Sequence, residues 1–177
     1  EFIKKNYPNI RLIENDKNYG SAEGNNIGAK YAKGELILFL NNDIEVDPNW
    51  LGELVKATKK DKRVVACQPK VLSLRDKNKF EYAGAGGGFI DKYGYPICRG
   101  RVYNNIEEDK GQYNDEIDVF WICGVCMLIR KDVFEKTLHI RHVLENKYLA
   151  GECLPHSRDV GALWADCPAH LVGRNDE

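Results

Sequence analysis

The chain has 177 residues, with 26 Lys and Arg against 27 Asp and Glu, for a net charge of −1. That balance excludes a nucleic-acid binder driven by bulk charge, because no basic excess is present to neutralise phosphates. Hydrophobic residues at 43% suffice for a buried core, and no apolar run nears the roughly 20 residues that span a bilayer.

The first residue is Glu1, so the chain reads as a fragment or a processed piece. Residues 2–5 have helical character, and residues 10–14 alternate as a short strand does. Residues 15–20 are turn-forming. The pattern predicts a helix over 21–33, with Ser21 as its cap, Ile27 and Tyr31 on one face, and Gly34 as its stop. Residues 35–40 are a continuous apolar run, the mark of a strand buried on both faces. Asp47 and Pro48 read as a cap and a first helical residue. Leu51, Leu54, Val55 and Thr58 follow at helical spacing. Residues 63–67 form the next strand. This alternation predicts an α/β fold, a mostly parallel sheet flanked by helices. Glycines then punctuate aromatic and β-forming residues over 82–101, which predicts a loop and a hairpin. Residues 104–118 read as an exposed acidic loop, 119–130 as a strand-like run, and 131–136 as the start of a helix.

The chemistry concentrates at Asn41-Asn42-Asp43, where a buried strand ends in three polar residues. In open α/β sheets, ligands bind at the carboxyl ends of strands. A carboxylate there suits Mg²⁺ or Mn²⁺, hard cations that keep water and substrate phosphate in their shells. Turn formation explains the same residues equally simply.

Upstream stand Asn18-Tyr19-Gly20 and Gly24-Asn25-Asn26, followed by Ala32-Lys33-Gly34. Downstream stand Asp47-Pro48-Asn49-Trp50-Leu51, Phe120-Trp121 with Gly124, and Arg130-Lys131 with Phe134-Glu135. In this order the segments resemble the family-2 glycosyltransferases, over about residues 1–136. The resemblance implies a partial GT-A fold, a nucleotide-diphospho-sugar donor, a divalent cation and a glycan or lipid-linked acceptor. It places Asn41-Asn42-Asp43 at the family's Asp-x-Asp motif, with Asp43 as metal ligand and Asn18, Gly20, Asn25, Asn41 and Asn42 around the nucleotide sugar. It implies an inverting transfer to an acceptor hydroxyl in cell-surface glycan synthesis. The setting it implies is cytoplasmic, with the full-length protein peripheral to a membrane. The alternative is a non-catalytic sugar-nucleotide-binding or structural fragment.

Two family features are unmatched. The family's first two strands would precede residue 1, and its Gly-Gly-Phe-Asp/Glu turn and acidic pair would follow residue 136. Residues 137–177 are therefore expected to be an atypical tail, as from a frameshift or an appended sequence, and the catalytic base is unassigned. Composition changes at the same point: Lys outnumbers Arg 16 to 6 before it and 1 to 3 after it, and all four histidines lie beyond it. Leu144, Tyr148 and Leu149 share a helical face there. The spacing Cys123-x-x-Cys126 with His139-x-x-His142 imitates a zinc finger, but the histidines are one residue too close to share a metal from a helix. The six cysteines read as reduced thiols.

Overall fold

The computed structural model describes residues 1–82 and 84–137 together with the backbone of Ala162–Leu163 and His170–Arg174. The helical face at Leu144, Tyr148 and Leu149 lies outside the described residues, as do His139 and His142.

The chain opens with helix α1 (Phe2–Asn6), which buries nothing. Residues 10–14 form no regular structure and pair with no described strand, contrary to their alternating pattern, and are almost entirely exposed. Alternation marks a strand only where an edge is available to take it. Helix α2 (Gly20–Ala29) stops four residues short of the predicted end. Three glycines and two asparagines weaken it. Its last turn tightens through Tyr31 N–H to Gly28 O and Ala32 N–H to Ala29 O, both 3.0 Å. Its buried face is Ala22, Asn26 and Ala29, while Tyr31 is exposed under the Arg11 guanidinium, 4.1 Å from the ring centre.

Strand β1 (Leu36–Leu40) is followed by β2 (Ile44–Glu45) and helix α3 (Trp50–Lys60). Pro48 lies in a turn ahead of α3, whose cap position is Asn49. The Asp47 carboxylate accepts the Asn49 N–H at 2.8 Å. Leu54, Ala57 and Thr58 are buried, whereas Leu51 is 41% exposed. Strand β3 (Val64–Gln68) and the short β4 (Leu72–Ser73) follow. The predicted hairpin is part of an antiparallel meander of β5 (Gly88–Ile90), β6 (Pro96–Cys98), β7 (Arg101–Val102) and β8 (Asn105–Ile106). Gly100 turns β6 into β7 at φ +83°, and a Cβ there would lie 2.5 Å from the Phe80 ring. Both the dihedral and the space demand glycine.

The strand-like run at 119–130 is two strands, β9 (Asp118–Val119) and β10 (Cys126–Arg130), separated by a loop. Helix α4 (Lys131–Lys136) matches the expected one. Beyond it lie β11 (Ala162–Leu163) and β12 (His170–Arg174).

The main sheet has the order β1-β10-β3-β12-β9. This corrects the expectation of a mostly parallel sheet. β10 pairs antiparallel with both β1 and β3, and β12 pairs antiparallel with β3. Only β12–β9 in this sheet, and β11–β2 in a smaller one, are parallel among the described pairs. β1 and β3 still point the same way, as a strand–helix–strand unit requires, but they are not neighbours. A later strand fills the place between them, and local periodicity carries no trace of such a long-range insertion.

Both faces of β1 are covered. Ile37 and Phe39 pack with Ala29 and Phe134 from α2 and α4, the two phenyl rings 5.3 Å apart. Leu36 and Leu38 pack against the cluster of Leu54, Ala57, Val64, Cys67, Val71, Cys126 and Leu128. This explains the unbroken apolar run, since each face of the strand meets a helix. Burying one such side chain stabilises by about 1.5–3 kcal/mol.

Candidate functional site

β1 ends at Leu40, and Asn41, Asn42 and Asp43 emerge exposed. The turn is held at both ends. The Asn41 N–H donates to Val125 O at 2.9 Å, extending the β1–β10 ladder by one bond. On the far side, Ile44 packs against the core cluster. Asp43 is thus fixed at the carboxyl end of β1 with its side chain exposed.

The chain leaves α2 through Gly34 and returns along β1. A 10-residue helix and a five-residue strand are each roughly 15–17 Å long. Helix and strand lie side by side along a shared groove. Gly24, Asn25, Gly28, Ala29 and Ala32 line a groove of about 330 Å³ with the whole of β1. A Cβ at Gly24 or Gly28 would meet nothing within 4 Å, so that side of the helix faces open space. Gly20 starts the helix at φ +76°, and its N–H donates to the Asn18 side-chain oxygen at 2.8 Å. This short-range turn needs an acceptor at its first position and a glycine two residues later. The Tyr19 hydroxyl donates to Asp16 at 2.8 Å, and that bond to a carboxylate raises its pKa. Asn25 is half-buried. The structure therefore sets Asn25 in a groove beside β1, whose carboxyl end carries Asn41, Asn42 and Asp43, while Asn18 and Gly20 form the turn into α2.

A supporting set of contacts comes from residues missed by sequence reasoning. Gln68, 1% exposed, ends β3. Its Nε2 donates to Gly84 O at 3.2 Å, and its Oε1 accepts the Cys123 N–H at 2.7 Å. One amide thereby ties the glycine-rich loop to the loop leading into Val125, the residue that holds Asn41. Trp121 in that loop donates from Nε1 to Phe89 O at 2.8 Å and packs on Gly88. The signal available in sequence was a polar residue closing an otherwise apolar strand. Its two partners, 16 and 55 residues away, were not legible.

No group of three or more His, Cys, Asp or Glu side chains is placed to hold a metal among the described residues. The donors at the turn are one carboxylate and two carboxamides, all hard oxygen ligands. That set suits a cation whose remaining positions go to phosphate and water. Cys67, Cys98, Cys123 and Cys126 are free thiols. Glu145 and Glu152, the carboxylates nearest the expected base in sequence, lie outside the described residues.

Glycosyl transferase family 2 matches residues 1–138. The O-antigen biosynthesis protein RfbC of Myxococcus xanthus is 35% identical over 113 residues, which is 63% of this chain and 8% of that protein. N-acetylgalactosaminyltransferase 4 of Drosophila melanogaster is 24% identical over 167 residues, covering 72% of this chain and 26% of the relative. An inactive polypeptide N-acetylgalactosaminyltransferase-like protein 5 of Mus musculus is 38% identical over 97 residues, 55% of this chain and 20% of that protein. The chain thus spans a minor part of each of these relatives. No solved structure matches it. The match of residues 1–138, together with an acidic turn closing the buried strand β1 beside a glycine-led helix, makes this chain a member of glycosyl transferase family 2.

Proposed function

We propose that the chain carries the donor-binding part of a site that transfers a sugar from a nucleotide-diphospho-sugar to an acceptor hydroxyl in cell-surface glycan synthesis. The observation that carries this reading is the exposed Asn41-Asn42-Asp43 turn at the carboxyl end of the buried strand β1, beside the groove that β1 shares with α2. The name of the bacterial relative, an O-antigen biosynthesis protein, supports the glycan context.

Asp43 is the residue that would hold Mg²⁺ or Mn²⁺, whose charge would offset the negative charge developing on the leaving diphosphate. Asn41 and Asn42 present carboxamides beside it. Asn18 shapes the turn into α2 by holding the Gly20 amide, and Asn25 stands on the groove wall. Exposed N–H groups in the first turn of a helix favour an anion. Val125 and Gln68 keep the acidic turn and its neighbouring loop in register, so donor groups are ordered before the ligand arrives. The base that deprotonates the acceptor hydroxyl has no match in this sequence, so the 177-residue chain is expected to bind a donor and turn it over poorly. The proposed setting is cytoplasmic, with the acceptor a glycan or a lipid-linked sugar presented at a membrane. No helix among the described residues is long and apolar enough to cross one.

Calorimetry with UDP and Mn²⁺ tests the reading. Metal-dependent binding that Asp43→Ala weakens about tenfold or more is expected, since a charge-assisted contact contributes about 1.5–3 kcal/mol. Metal-dependent binding equal in both proteins, or absent from both, would refute it. A second reading, donor binding without any transfer, is favoured by the unmatched base and by similarity to a relative named as inactive. Mn²⁺-dependent hydrolysis of a sugar nucleotide by this chain would exclude that second reading.

A further inference from the structure

The other end of β1 carries a second concavity, of about 700 Å³, within the size range of small-molecule sites. Five cations line it: Lys33, Lys59, Lys62, Arg130 and Lys131. Its carboxylates are Glu35, Asp132 and Glu135. Two of these are already engaged, Asp132 by Arg130 at 3.3 Å and Glu135 by Lys131 at 3.8 Å. Arg130 and Lys131 are further anchored by backbone carbonyls, Arg130 to Lys62 O at 3.1 Å and Lys131 to Ala32 O at 2.9 Å. Among the described residues, what remains in the lining is Lys33, Lys59 and Lys62 with Glu35, an excess of positive charge in a concave space. Lysines interleaved with them are paired: Lys56 with Glu53 and Lys60 with Glu116. A helix C-terminus accounts for a cation at Lys59, but Lys33 and Lys62 belong to no helix.

We propose that this concavity is an anion site for a small soluble ligand bearing two or more phosphates. The half-buried Arg130 and Lys131 form its floor, and the three exposed lysines close on the ligand from β1's approach and the end of α3. Arginine and lysine together suit this chemistry, the first as a fixed fork and the others as mobile point charges. A concave space of this volume admits a whole small molecule, whereas a membrane surface meets a flat or convex basic face. The site is separate from the Asp43 end, because the length of β1, about 17 Å, lies between them.

The test is calorimetry of the whole chain with inorganic pyrophosphate in the presence of a chelator, which silences metal-dependent binding at Asp43. Saturable binding of one pyrophosphate per chain is expected. The double variant Lys59→Gln/Lys62→Gln should weaken it about tenfold or more, since each contact to a charged group contributes about 1.5–3 kcal/mol, and Asp43→Ala should leave it unchanged. Lys33→Gln serves as an independent variant if the double variant fails to fold. The proposal is overturned if binding is absent, if it is matched by chloride at equal ionic strength, or if Asp43→Ala rather than the lysine changes abolishes it. Co-sedimentation with phosphatidylglycerol–phosphatidylcholine vesicles, without saturable pyrophosphate binding, would assign the patch to a lipid surface and overturn it equally.

Discussion

Lys70 offers the sharpest test of how this fold is held together. It follows β3, its side chain is 2% exposed, and its ammonium lies 2.5 Å from the Asp109 carboxylate. It also donates to the Asn114 side-chain oxygen at 2.6 Å. Asp109, 11% exposed, belongs to the long acidic loop after β8, which this contact draws onto the sheet. The two partners are unequal. Asp109→Ala leaves a buried ammonium without its main counter-charge, which costs about 3–5 kcal/mol. Lys70→Met removes the buried charge and leaves a carboxylate near enough to water to rehydrate, so the cost is about 1–3 kcal/mol. The double variant should be more stable than Asp109→Ala alone, with a coupling of about 1–3 kcal/mol. Against a total stability of about 5–15 kcal/mol, these are large fractions. Urea unfolding followed by tryptophan fluorescence measures them. In thermal unfolding, Asp109→Ala should lower Tm by about 6–20 °C. An Asp109→Ala change within about 0.5 kcal/mol of the parent chain, the range of ordinary surface substitutions, would refute the reasoning. So would strictly additive single changes.

Two further outcomes are expected. At Gly88 a Cβ would lie 2.2 Å from Trp121 Cδ2 and 2.6 Å from Trp121 O, so Gly88→Ala must displace the indole and its bond to Phe89. A loss of about 1–3 kcal/mol or more is expected from overpacking, and unchanged Tm and tryptophan fluorescence would contradict it. Burial pushes the Cys67 thiol up to about 12 and the Cys98 thiol up to about 11, the latter partly offset by the Gly84 amide, and also raises Cys126. Unfolded thiols titrate from 9.0. Stability from these groups is therefore fully present below pH 9 and is lost as pH rises through 11 and 12, by up to about 1.4 kcal/mol per pH unit per thiol. Cys67→Val should make the loss between pH 8 and pH 10 smaller by about 1–2 kcal/mol, and an identical pH profile would rule out Cys67 as a contributor.

The lesson of sequence against structure is specific to each element. α3, α4 and β1 were legible because helical spacing and an unbroken apolar run are local signals, and the core rewards the faces they describe. The strand expected at 10–14 was local too, but no described strand takes up its alternating face. Glycine and asparagine shortened α2 against a periodic pattern that ran on to residue 33. The Asn18–Gly20 turn and the polar end of β1 at Asn41-Asn42-Asp43 were readable as local structure because each forms within a few residues of itself. Gln68 and Lys70 were not, because a buried polar side chain declares itself only through its distant partners.

The sequence by itself determined the family, the buried strand β1 and the acidic turn that ends it, since these rest on spacing, burial pattern and a few ordered motifs. Only the tertiary structure decided that β10 separates β1 from β3 and turns an expected parallel neighbour into two antiparallel ones. It alone decided which cations line the second concavity among the described residues. Both depend on contacts between residues tens of positions apart, where the free energy of pairing is set by which edges and charges meet in space, and no local periodicity encodes that meeting.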